Sequence, residues 1–86
     1  MTSNQSVIKV LLFARLREIV GQETIELRGG EVHTVRDVWN TLRIAFPRTA
    51  GFEKSLLFAV NQEFADLETK IREGDELAIF PPVSGG

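Results

Sequence analysis

The stretch from Thr34 to Pro47 limits the fold more than any other. Val35, Val38, Trp39, Leu42, Ala45 and Phe46 recur at i, i+3, i+4, i+7, i+10 and i+11, an unbroken apolar stripe on one face of a helix. Thr34 is an N-cap residue type, and Asp37 three positions later makes a capping-box pattern with it. Pro47 has no N–H to continue the ladder and stops the helix. Trp39 sits mid-stripe and is expected in the core, not stacked on a ligand. A helix with one apolar stripe must lay it on another element. In a chain of 86 residues that element and the helix share a single core, because a domain of this size buries only about 60–65% of its unfolded surface.

The flanking sequence supplies a sheet. Val7 to Phe13 is a run of strand formers whose alternation puts Ile8, Val10 and Leu12 on one face and Lys9, Leu11 and Phe13 on the wetter one. Ala14 to Val20 carries Leu16, Ile19 and Val20 at helical spacing, with Gly21 as a stop and Arg15 and Arg17 turned outward. Glu23 to Arg28 alternates as a half-buried strand and ends at Gly29-Gly30. After the main helix, the connection from Arg48 to Lys54 has no readable pattern. Leu56 to Val60 is the next strand, with Leu56, Phe58 and Val60 coreward. Asn61-Gln62 turns into a short edge segment at Glu63-Phe64-Ala65. Leu67 and Ile71 plug the core from an irregular stretch. Glu73-Gly74-Asp75 is a tight turn, and Glu76 to Phe80 is the last strand, with Leu77 and Ile79 inward. The whole reads as an α+β, β-grasp (ubiquitin-like) mixed sheet with one long helix packed on one face. Its expected divisions are a lead-in at 1–6, the domain at 7–80 and a C-terminal tail at 81–86.

Composition narrows the function classes. A net charge of −2 gives no basic footprint, so nucleic acid is not an expected partner. No apolar run approaches the ~20 residues of a membrane span, and the polar start Met1 to Ser6 has no signal-peptide pattern, so a cytoplasmic protein is expected. With no cysteine, thiolate metal sites, a cysteine nucleophile and a side-chain persulfide are all excluded. His33, the single histidine, stands at the helix start and has neither a nucleophile elbow nor a second imidazole to work with. Gly29-Gly30 lacks the Gly-Lys-Ser continuation of a phosphate loop, and Glu73, Asp75 and Glu76 fit a solvated turn better than a metal site. No metal is expected. The body reads as a binding module, not as an enzyme with its own pocket.

The chemistry is expected at Pro81-Pro82-Val83-Ser84-Gly85-Gly86. Two prolines stiffen the departure from the last strand, and two glycines leave the tip sterically bare. Extended, six residues reach roughly 20 Å, enough to carry the Gly86 carboxylate into a partner's pocket for activation and transfer. Phe13, Phe80 and Phe64, on the sheet face away from the helix, are expected to form an aromatic patch beside the root of this tail, an interface if exposed and a satellite core if loops cover it. Arg15 would lie beside it, facing solvent or an acidic partner.

Three stretches together resemble a known family. Glu73-Gly74-Asp75-Glu76-Leu77-Ala78-Ile79-Phe80-Pro81-Pro82-Val83-Ser84-Gly85-Gly86, the opening Lys9-Val10-Leu11-Leu12-Phe13-Ala14-Arg15-Leu16-Arg17-Glu18 and the middle Ala59-Val60-Asn61-Gln62 are similar to the small subunits of molybdopterin synthase, the MoaD-type sulfur carriers of the MoaD/ThiS family. The resemblance spans nearly the whole chain from Val7. It implies that an E1-like adenylating enzyme uses ATP to adenylate Gly86, and that a sulfur donor protein displaces AMP to leave a thiocarboxylate. It further implies that the tail enters the large subunit to deliver sulfur to cyclic pyranopterin monophosphate, building the dithiolene of the molybdenum cofactor. The resemblance implies a heterotetramer, catalytic side chains on the large subunit, tail insertion through Pro81 to Gly85, and no stably bound cofactor here. A carrier for thiazole synthesis, a ubiquitin-like protein modifier and a plain β-grasp adaptor stand as alternatives.

Overall fold

The first and last strands lie side by side and parallel, and this pairing sets the architecture. The computed structural model describes residues 7–28, 32–52 and 55–81, so the expected lead-in at 1–6, the Gly29-Gly30 strand end, Lys54 and the tail from Pro82 to Gly86 lie outside the described residues. The order is β1 (Val7–Leu12), α1 (Ala14–Val20), β2 (Thr24–Arg28), α2 (Val35–Ala45), a 3₁₀ helix (Pro47–Phe52), β3 (Leu57–Val60), β4 (Glu63–Ala65) and β5 (Glu76–Phe80). The strands form one mixed sheet in the order β2-β1-β5-β3-β4. β1 runs antiparallel to β2 and parallel to β5, and β3 runs antiparallel to both β5 and β4.

The core lies on one sheet face. Ile8, Val10 and Leu12 of β1 and Leu77 and Ile79 of β5 are buried, and they meet Val35, Val38, Trp39 and Leu42 of α2 and Leu16 and Val20 of α1. Each such side chain contributes roughly 1.5–3 kcal/mol on full burial, so the two central strands and α2 hold the domain together. Phe58 and Ile71 complete the cluster, with Leu67 packed partly against it. The indole Nε1 of Trp39 is buried without a partner, so packing and not a hydrogen bond holds that ring.

Three boundaries and the burial of one residue differ from the sequence reading. Ala45 has the right angular position for the stripe but is exposed, because it closes the helix and nothing covers its short methyl there. Glu23 lies outside β2 and Leu56 outside β3. Phe13 is not in β1: Ala14 adopts φ 52°, a left-handed step that swings the chain from strand into α1. The unreadable connection after Pro47 is largely 3₁₀ helix, anchored by the fully buried Thr49, whose Oγ1 donates to the Phe46 carbonyl at 2.7 Å. α1 ends as its sequence suggests: Gly21 takes φ 86° and its N–H donates to the Arg17 carbonyl.

The start of α2 is bolted to the segment before β5. Val35 N–H donates to Thr69 O and Arg36 N–H to Leu67 O. The Asp37 N–H donates to Thr34 Oγ1, while Asp37 Oδ2 accepts from the N–H groups of His33 and Thr34. The three leading N–H groups of the helix are thereby satisfied. The His33 and Thr34 backbone bonds hold the Asp37 carboxyl below the usual carboxylate range. A group depressed on folding stabilises fully above its unfolded value, and that contribution disappears as pH falls through the folded value. Unfolding free energy from denaturant titrations followed by circular dichroism should therefore fall more steeply towards acid pH in wild type than the remaining carboxylates alone would give. Asp37→Asn should be less stable at neutral pH and should converge with wild type in acid.

Candidate functional site

The sheet face away from α2 carries the candidate site, and strand register builds it. Lys9, Leu11, Glu76, Ala78, Ala59 and Phe64 alternate with buried positions on their strands and point away from the core. Leu11 is registered with Ala78, Ala78 with Ala59, and Ala59 with Phe64. A row of small side chains thus crosses the middle of the sheet between larger ones. The result is a trough of about 320 Å³ floored by Ala59 and Ala78 and walled by Leu11, Phe13, Phe80 and Phe64, with Gln62 and Glu76 at its polar end.

Register also explains the aromatic pair. Leu12 is opposite Ile79 in the parallel ladder, so the next residues, Phe13 and Phe80, stand side by side just past its end. Their rings stack with centroids 4.7 Å apart and an interplanar angle of 14°, matching the 4.7–4.9 Å spacing of neighbouring strands. Phe13 is 38% exposed and Phe64 84% exposed, so among the described residues no loop closes over the patch to make a satellite core. Phe64 lines the same trough from the edge strand but does not join the stack. Pro81, half-buried, follows Phe80 directly. The tail therefore departs from a central strand at the rim of the apolar face. Its remaining residues, Pro82, Val83, Ser84, Gly85 and Gly86, are outside the described residues.

Arg15 lies apart from the trough. Its Nε is 3.8 Å from Glu18 Oε1, an exposed pair one helical turn apart, and pairs of this kind contribute little. The sequence reading missed Ala59 in the trough floor and, outside the trough, the outward Leu57, 50% exposed and registered with Phe80. Period-two alternation with Leu56, Phe58 and Val60 places both outward, so the signal was present. Among the described residues no three His, Asp or Glu side chains converge as a metal site, and no helix is long and apolar enough to cross a membrane. The described residues thus present an exposed apolar trough with Pro81 at its rim.

The chain is similar to known proteins over nearly its whole length. The ThiS family model matches residues 10–86. The chain is 42% identical over 83 residues to the molybdopterin synthase sulfur carrier subunit of Chlamydomonas reinhardtii, covering 92% of this chain and 98% of that one. It is 38% identical to the subunit of the same name from Escherichia coli (strain K12), covering 93% and 100%. Among solved structures, the small archaeal modifier protein 1 of Methanosarcina acetivorans superimposes with a TM-score of 0.77 at 32% identity, covering 98% of this chain and 100% of that one.

Proposed function

The chain belongs to the ThiS family, and from that membership we infer that it is the sulfur-carrier small subunit of a molybdopterin synthase. The observation that carries the reading is the departure of the chain at Phe80-Pro81 from a central strand, at the rim of an exposed apolar trough. A partner docked on that face has the tail delivered into it. Relatives named as molybdopterin synthase sulfur carrier subunits, similar over more than nine-tenths of this chain, support the choice of pathway.

In this reading the Gly86 carboxylate attacks the α-phosphorus of ATP on an E1-like activating enzyme, and pyrophosphate leaves. A sulfide equivalent from a donor protein then attacks the acyl carbon, AMP departs with the bonding electrons, and a thiocarboxylate remains. The tail carries that sulfur into the large subunit, whose side chains supply the catalysis, and the sulfur attacks cyclic pyranopterin monophosphate. Each delivery returns Gly86 to a carboxylate at the expense of water, so two charged chains are needed for one dithiolene. Three proteins handle one acyl group in succession, which requires it to be mobile and bare, and Pro-Pro-Val-Ser-Gly-Gly meets that requirement. The assembly is a heterotetramer of two small subunits on a large-subunit dimer, in the cytoplasm, with ATP consumed by the activating enzyme and no cofactor held by this chain.

The test is reconstitution of this chain, as carboxylate or as C-terminal thiocarboxylate, with the large subunit and the pterin precursor. Dithiolene should form only with the thiocarboxylate. No product, beside a large subunit that works with another carrier, would sink the pathway. A second reading, a protein modifier joined through Gly86 to lysines, is favoured by the likeness to the archaeal modifier protein. In that case tagged chain gives conjugate ladders in its own cells that vanish with Gly86.

A further inference from the structure

We propose that Gln62 and Glu76 are a built polar end of the docking trough and that they receive a lysine or arginine side chain of the large subunit. The inference rests on the synthase reading above and specifies the chemistry the docking partner must bring.

Glu76 opens β5 with its side chain on the outer face, half-buried at the edge of the trough. Among the described residues the ion pairs are Arg15–Glu18 and Arg36–Glu68, and none of the described cations lies within 4.0 Å of the Glu76 carboxylate. Lys9 is its register partner on β1, but Lys9 is exposed and has Glu26 as its register partner on the other side. The row Glu26–Lys9–Glu76 therefore keeps one uncompensated negative charge. Water solvates that carboxylate in the free chain. An apolar surface covering the trough removes the water, and only a cation or strong donors from the partner offset the loss. A second copy of this chain would bring the same acidic row and meet it with like charge.

Gln62 is the second, independent observation. Asn61 and Gln62 have φ of 50° and 74°, the left-handed pair of a two-residue hairpin in which the second position favours glycine. Asparagine tolerates that region, whereas glutamine is strained in it. The turn itself has no use for the Gln62 side chain, which lines the trough beside Glu76. The turn is also held firmly. Asn61 N–H donates to Glu76 O at 2.8 Å, Glu76 N–H donates to Asn61 Oδ1 at 3.0 Å, and Asn61 Nδ2 donates to Asp75 Oδ1 at 3.1 Å. One knot thus fixes the Glu76 backbone and the turn that carries Gln62 relative to each other. The Glu76 carboxylate and Gln62 amide oxygens can together accept from one ammonium or guanidinium.

The experiment is calorimetric titration of the large subunit with wild type, Glu76→Gln, Gln62→Gly and Phe80→Glu at low and high salt, with a thermal melt of each. Glu76→Gln should weaken binding about tenfold at low salt, with the difference shrinking at high salt, and should leave the melt within a few degrees. Gln62→Gly should melt higher by about 4 °C as strain is relieved, yet bind several-fold more weakly. Wild-type affinity in either Glu76→Gln or Gln62→Gly, with Phe80→Glu still weakened, overturns this inference and leaves the synthase reading standing. Failure of wild type to bind overturns both.

Discussion

A chain lacking Gly86 should melt at the wild-type temperature and deliver no sulfur. The first half follows from where the stability resides: the buried cluster runs from Ile8 to Ile79 and the last strand ends at Phe80, so nothing that holds the core is removed. The second half follows from reach. Without Gly86 the reactive carbon retreats by roughly 3.5 Å along an extended tail, and misplacement by even 1 Å at a reacting centre can cost about 100-fold. Adenylation and delivery depend on the same carbon, so both should fall by at least that factor. Gly86→Ala keeps the length but adds a methyl beside the carbonyl, and should slow transfer less than deletion while still leaving the melt unchanged. Single-turnover sulfur transfer, run beside a thermal melt, measures both halves. Normal delivery by the shortened chain would sink the carrier mechanism, and a lowered melting temperature would show that the tail contributes to the fold.

The β-grasp plan was legible because its elements obey strong local rules. The Thr34–Asp37 capping box, the stop at Gly21 and the inward parity of Val10, Leu77 and Ile79 all appear in the structure as the sequence suggests. What was not legible depends on tertiary packing. Ala45 continues the stripe in angle but not in cover, and Thr49 is fully buried although threonine gives no sign of it. The aromatic patch was readable as a set of outward residues, yet its shape was not. The trough exists because two alanines from different strands are registered opposite each other, Ala59 with Ala78, and pairing across strands distant in sequence has no local signature. The same reason hid Gln62: its left-handed backbone is visible only once the hairpin is closed.

Phe80→Glu should weaken binding to the large subunit about 30- to 1,000-fold while the free domain stays folded. In the free chain Phe80 is half-buried on the outer face and stacks on Phe13 at 4.7 Å. Losing the stack costs about 0.5–1.5 kcal/mol, and the new carboxylate remains hydrated, so the melting temperature should fall by no more than about 10 °C. The complex is affected differently. An aromatic side chain central to a docking face typically supplies about 2–4 kcal/mol, and the substitution also places an unpaired carboxylate under a covering partner. Phe80→Leu separates these effects. It keeps apolar area without the stack, and should bind within about tenfold of wild type. Because Phe80 immediately precedes the tail, a transfer assay alone cannot tell weak docking from a misdirected terminus. Raising the large-subunit concentration can: transfer by Phe80→Glu should recover as the binding deficit is saturated. Unchanged affinity would remove Phe80 from the interface. Transfer that stays low under saturation would give Phe80 a different role, aiming the tail from the rim of the trough.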